Sequence, residues 1–172
     1  MKRVRTPTVK RASEEPKQKR SQEEPTEQRA PAAPRPKRAA KRAPKVEGVG
    51  ATARDDAARD LAVALAAAGL EKKAAGVEIL DVVGKVDYAD FLVLMTGTSS
   101  RHVDALAQEL EHAARERGSR ALSVEGLPAA TWVLLDFGDV VAHVFQEEAR
   151  GLYDIDGLWM DAARLRVPKG QA

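Results

Sequence analysis

The 172-residue chain is nearly neutral overall, at +2, but residues 1–54 carry 16 Lys and Arg against 6 Asp and Glu, whereas residues 55–172 carry 12 against 20. It has no cysteine, which excludes disulfides, thiolate metal sites and a thiol nucleophile, and leaves only three His and the carboxylates as candidate metal ligands. No apolar run approaches the ~18 residues of a membrane span, and the start, MKRVRTPTVKR, lacks the apolar stretch of a secretory signal, so a soluble cytoplasmic protein is expected.

Residues 1–52 are Lys, Arg, Pro, Ala, Glu and Gln with almost no large apolar side chain. Such a segment buries too little surface to offset the entropy of ordering it, and a disordered tail is expected. Glu14, Glu15, Glu23, Glu24 and Glu27 argue against an organellar transit peptide, which should be poor in acids. The run from Pro36 to Arg42 would attract polyanions through counterion release, without reading bases. No aromatic residue is interleaved with the charges, which speaks against stacking on single strands. A solubilising extension and an RNA-binding arm both fit this composition.

All seven aromatic residues lie beyond residue 87, in a domain expected over 53–166, with 167–172 a short C-terminal tail. Thr52 and Asp55 have the spacing of a helix cap, and Leu61, Leu65 and the alanines between them predict a helix over 53–69 that Gly69 stops. Residues 76–82 predict a strand, and residues 90–96 a second one, apolar on both faces and therefore central. The stretch LMTGTSSRHV, residues 94–103, leads from that strand into a helix over 100–117, whose stripe is Val103, Leu106, Ala107, Leu110, Ala113 and Ala114. A short strand is expected over 120–124.

Two β-rich runs then flank Gly138-Asp139, a two-residue hairpin turn signal. The turn pairs Trp132 with Phe145, Leu134 with His143 and Asp136 with Val141. One face becomes Val133, Leu135, Phe137, Val140, Ala142 and Val144, which is core. The other holds Trp132, Leu134, Asp136, Val141, His143 and Phe145, and is either covered by C-terminal structure or presented to a partner. Residues 146–153 and 157–165 read as short helical pieces. The whole predicts an α/β or α+β domain with one mixed sheet of about five strands flanked by helices.

Tests for chemistry find no catalytic site. Ser99 or Ser100 beside His102 has the residue types of a nucleophile and its base, but neighbours at a helix start diverge around its axis, and a helix cap explains the same residues. The loop around Gly97 has one glycine and no lysine of the kind that holds phosphates. Asp136 and Asp139 bracket a turn at odd spacing, so convergence on a metal is not expected.

Several blocks nevertheless carry a resemblance. The segment from Asp90 to Val103, then Val124-Glu125-Gly126, the run from Trp132 through Asp136 to Asp139, the run from His143 through Gln146 to Arg150, and Leu152-Tyr153 leading to Leu158-Trp159 are similar, in order, to the ribosomal silencing factors, or Iojap-like family. The resemblance covers roughly residues 55–162. It implies a nucleotidyltransferase-like fold without enzymatic activity, metal or cofactor. It further implies binding to the large ribosomal subunit through protein uL14, steric block of subunit joining under nutrient limitation, and homodimers off the ribosome. Joined to the hairpin register, it assigns Trp132, His143, Gln146, Arg150, Tyr153 and Trp159 to the partner-binding surface. Gly97, Ser99, Ser100 and Arg101 remain as loop and helix cap. The tail lies outside the resemblance, and rRNA contact is an expectation from its charge alone. The alternative is an active nucleotide-binding enzyme using residues 97–101 with Asp136 or Asp139.

Overall fold

The computed structural model describes residues 49–167, with side chains from Asp55 onward. The expected disordered tail therefore lies, up to residue 48, outside the described residues. The elements in order are α1 (Val49–Glu71), β1 (Ala75–Asp81), β2 (Phe91–Gly97), α2 (Ser100–Glu116), β3 (Ser123–Glu125), β4 (Trp132–Asp136), β5 (Val140–Gln146), α3 (Glu147–Tyr153), α4 (Ile155–Leu158) and β6 (Ala163–Leu165). They form one sheet in the order β3-β4-β5-β2-β1-β6, in which β2 and β5 run parallel and every other pair antiparallel.

Two central strands organise it. β2 is buried along its whole length between β5 and β1, as its two-sided apolar character predicts. The β4–β5 register is the one the Gly138-Asp139 turn dictates: Trp132 faces Phe145, Leu134 faces His143, and Asp136 faces Val141. The Asp136 carboxylate accepts a hydrogen bond from the Gly138 backbone N–H at 2.7 Å, fixing the turn from its own first strand.

Each face of this sheet is apolar and must be covered. On one, α1 and α2 bury Leu61, Leu65, Leu106 and Leu110 against Ile79, Val93, Met95, Val133, Leu135 and Val144. On the other, Leu80, Leu92, Leu94, Trp132, Leu134, Val141 and Phe145 are covered by Tyr153, Ile155, Trp159 and Ala162 of the C-terminal segment and by Val86 and Tyr88 of the β1–β2 loop. The face with mixed polarity is thus the covered kind, not an open one.

Three local expectations change. Thr52 lies inside α1, which already includes Val49, so it does not cap it, and the helix runs through Gly69 to Glu71 rather than stopping there. The sheet has six strands, because residues 163–165, read as the end of a helical piece, pair antiparallel with β1 through Ile79, Leu80 and Asp81. The third strand is β3 at 123–125, slightly later than expected, and it pairs with β4.

Gly126, after β3, has φ +96, and a Cβ there would lie 2.0 Å from the Trp132 carbonyl oxygen. Backbone on both sides of that clash leaves nothing flexible to yield. Gly126→Ala is expected to destabilise the domain by about 3 kcal/mol or more, measured by urea unfolding. Gly84 also has positive φ but has nothing within 4 Å of such a Cβ, and Gly84→Ala should cost only about 1 kcal/mol.

Candidate functional site

The parallel pair β2–β5 ends at one edge of the sheet, where β2 passes through Gly97 into α2 and β5 passes through Gln146 into α3. In α/β folds this carboxyl edge is where ligands gather. Here Ser99 is the helix cap: its backbone is extended, and its Oγ accepts from the His102 backbone N–H at 3.2 Å. Ser100 is the first helical residue. Gly97 is buried, whereas Thr98, Ser99, Ser100 and Arg101 are exposed. A Cβ on Gly97 would meet Val103 Cγ2 at 2.9 Å, so the strand must end in glycine for α2 to pack this closely.

The geometry removes the nucleophile reading. The His102 ring turns away from both serines: its Nδ1 accepts from the Thr98 backbone N–H at 3.1 Å, and its Nε2 donates to the Lys72 carbonyl at 2.8 Å. Nor does the geometry bring together the two parts of the alternative site, residues 97–101 and the hairpin acids. Asp136 and Asp139 sit at the other end of β4–β5, level with Phe91 and Leu92 at the start of β2. The 97–101 turn is a full strand away, roughly 20 Å for the seven residues of β2. Asp136 is moreover occupied by the hairpin turn. Among the described residues no group of three or more His, Asp or Glu could hold a metal ion.

What this edge does carry is the anchorage of the C-terminal cover. Arg150 of α3 forms a two-pronged pair with Asp156, Nε to Oδ2 at 2.8 Å and Nη2 to Oδ1 at 2.7 Å. Its Nη1 donates to the Gly76 carbonyl and, at 3.0 Å, to Thr96 Oγ1. Glu78 stands 3.7 Å from Nη2 and pairs at 2.6 Å with Arg164 of β6. One guanidinium thus ties α3 and α4 to β1 and β2, and through Glu78 to β6. The Arg150 hydrogen bond holds the Asp156 carboxyl below the usual carboxylate range, and the same bond raises Arg150. Gly76, with φ +54, leaves room for the guanidinium, since a Cβ there would lie 2.6 Å from Nη1. A second tie, Lys85 to Asp161 at 2.6 Å, joins the β1–β2 loop to the turn after α4.

Beneath the cover lies an aromatic stack. Trp132, 4% exposed, packs against Tyr153 and Phe145 at ring distances of 4.4 and 4.9 Å. Its indole Nε1 donates to Nδ1 of His143 at 3.2 Å. His143 is 7% exposed, and burial pushes its pKa from 6.5 down to about 4. Gln146 donates from its side chain to the Ala130 carbonyl at 3.0 Å and is half-buried.

The six residues assigned to a partner surface therefore divide. Trp132 and His143 are internal, and any part they take is to support the surface from below. Arg150 has its guanidinium committed to intramolecular bonds. Gln146, Tyr153 and Trp159 are partly exposed. The outermost apolar groups lie outside those six: Leu152, Leu158 and Met160, which are 60, 68 and 77% exposed. Leu152 and Leu158 lie on two short helices separated by Asp154 and face outward. Glu147, Glu148, Asp154 and Asp161 of the same segment are exposed as well.

A family model described as ribosomal silencing factor during starvation matches residues 55–172. The chain is 42% identical over 97 residues to the ribosomal silencing factor RsfS of Halalkalibacterium halodurans, covering 56% of this chain and 83% of that protein. It is 40% identical over 97 residues to the RsfS of Bacillus subtilis, covering 56% of this chain and 82% of that protein. A crystal structure of a Bacillus halodurans protein superposes with a TM-score of 0.53 at 36% identity, over 63% of this chain and 96% of that one.

Two outcomes test the site. Arg150→Lys keeps the charge but loses the fork, and is expected to lower stability by about 2–3 kcal/mol, nearly as much as Arg150→Ala, in thermal unfolding. For His143, the folded state refuses a proton that the unfolded chain accepts. Stability is therefore full above pH 6.5 and falls as pH drops toward the folded value of about 4. The loss over that window is about 3 kcal/mol. His143→Asn should abolish that share of the acid sensitivity, seen as a smaller shift of the urea midpoint between about pH 7 and about pH 4.5.

Proposed function

We propose a function on the premise that the chain belongs to the ribosomal silencing factor family, whose model it matches over residues 55–172. The domain docks on the large ribosomal subunit, against protein uL14, and its bulk then stands where the small subunit must join. Translation falls accordingly when nutrients are scarce. The family works on the ribosome as a regulator of translation; the partner, the steric block and the surface used are our reading.

The observation that carries the reading is the exposed apolar group Leu152, Leu158 and Met160 on a cover that Arg150 and the Trp132–Tyr153 stack hold in place. Exposed apolar side chains on a rigid support, with a polar margin, are the usual composition of a protein-binding surface. Gln146, Tyr153 and Trp159 extend it as partly exposed members. Trp132, His143 and Arg150 set its shape from inside. The acidic margin suits a basic ribosomal protein and resists non-specific attachment to rRNA, whose phosphates it would repel. The tail of residues 1–52 supplies the opposite charge and would add affinity through rRNA phosphates. Away from the ribosome the same apolar group offers a surface for a homodimer.

Sedimentation of purified subunits with the protein present tests the block: the fraction of joined ribosomes should fall with added protein, and normal joining at stoichiometric excess would refute it. The double variant Leu152→Glu, Leu158→Glu should weaken large-subunit binding by about tenfold or more without lowering the unfolding midpoint. Removal of residues 1–48 should flatten the salt dependence of binding, and equal salt slopes would count against rRNA contact by the tail.

A further inference from the structure

The chain holds three methionines, at positions 1, 95 and 160, and the last two stand in opposite environments. Met95 is fully buried on β2, in the core under α1 and α2. Its Sδ and Cε lie only 2.8 and 2.7 Å from where a Cβ on Gly69 would stand, so α1 closes directly over the thioether. Met160, between α4 and β6, is 77% exposed, the most exposed large apolar side chain among the described residues.

Its neighbours hold it there. Trp159 packs against the covered core, and Ala162 is 6% exposed. The Ala162 backbone N–H donates to the Trp159 carbonyl at 3.0 Å, which closes a turn over Met160 and Asp161. Asp161 is in turn tied to Lys85 at 2.6 Å. A fixed turn, anchored on both sides, therefore presents the Met160 thioether to solvent, two residues from the equally outward Leu158.

Susceptibility of a thioether to oxidation follows its exposure. A sulfur lone pair attacks one oxygen of a hydroperoxide, the S–O bond forms as the O–O bond breaks, and sulfur gives up two electrons. With hydrogen peroxide, the proton on the transferred oxygen passes to the departing hydroxide, which leaves as water. The product is a sulfoxide, a polar acceptor in place of an apolar group.

We propose that Met160 is an oxidation site on the docking surface: hydroperoxides convert its thioether to the sulfoxide, which weakens docking of the surface it shares with Leu152 and Leu158 and leaves the fold beneath intact. The sulfoxide oxygen must give up its water when the surface is covered, and an apolar contact offers it no donor in return. The fold is spared because the side chain already lies in water. The inference rests on the docking reading above for its consequence but not for its chemistry, which the free chain displays alone.

The test is treatment of the full chain with hydrogen peroxide, followed by trypsin and mass spectrometry of the peptide 151–164. Oxygen addition, located by fragmentation, should fall on Met160 about tenfold or more faster than on Met95. Equal rates would overturn the site. The oxidised chain should bind purified large ribosomal subunits about five- to tenfold more weakly than the untreated chain. Its urea midpoint should not move, and a methionine sulfoxide reductase should restore the affinity. Met160→Leu should have the same affinity before and after peroxide, and Met160→Gln should bind weakly from the start. In the complex with the large subunit Met160 should be protected from peroxide. Undiminished binding of the oxidised chain, an equal loss in Met160→Leu, a lowered urea midpoint or an unprotected Met160 in the complex would each overturn the proposal. Failure of the untreated chain to bind at all would instead overturn the docking reading, with the contrast between Met160 and Met95 still measured in the free protein.

Discussion

The structure depends most on a problem at one face of its sheet and on the guanidinium that solves it. A sheet of six strands with β2 buried on both sides needs two covers, and only one of them is made of long helices. The other is made of a seven-residue helix, a four-residue helix and a three-residue strand. None of these is long enough to be stable by itself. Arg150 compensates by bonding Asp156, the Gly76 carbonyl and Thr96 at once, so that α3 and α4 cannot leave the sheet without exposing half-buried charge. The same constraint accounts for the outward Leu152 and Leu158. A cover held by polar anchors at its edge need not turn every apolar group inward.

The same arrangement keeps the polar residues of the β2–α2 turn apart from the hairpin acids. The strand–glycine–serine–helix turn stands at the carboxyl edge, and the hairpin acids stand at the opposite one. At the carboxyl edge the polar groups are engaged in structure. Ser99 caps α2, His102 bridges to α1, and Thr96 holds Arg150.

What the sequence made legible follows from how local each signal is. The hairpin register was readable to the residue because two adjacent residues, Gly138 and Asp139, fix it and strict alternation does the rest. The central position of β2 and the apolar stripe of α2 were readable for the same reason. Arg150 could be picked out as important, but its role could not: Gly76 and Thr96 lie 74 and 54 residues away, and nothing in a charged helix announces them. β6 was missed because three residues with an arginine in the middle carry no strand pattern, and they are a strand only by virtue of pairing with β1. The burial of Trp132 and His143 was one of two readings left open by a mixed face, and only the presence of Tyr153 and Ile155 above it decides between them. The sequence narrows the serines of the turn to a cap, and the extended Ser99 backbone with the His102 backbone N–H on its Oγ singles out Ser99.

The order of the elements along the chain has a consequence for the protein's making. Every strand whose second face needs protection, from β1 to β5, is synthesised before the segment that protects it. Until α3, α4 and β6 have been made and Arg150 has found its partners, Leu80, Leu92, Leu94 and Phe145 form an uncovered apolar sheet face. Such a face is a site for association between nascent chains. The two long helices are not affected, since α1 and α2 precede or interleave with the strands they cover. The vulnerable interval in the life of this domain is therefore the last stage of its synthesis, and a lesion in the final twenty or so described residues endangers yield before it endangers function.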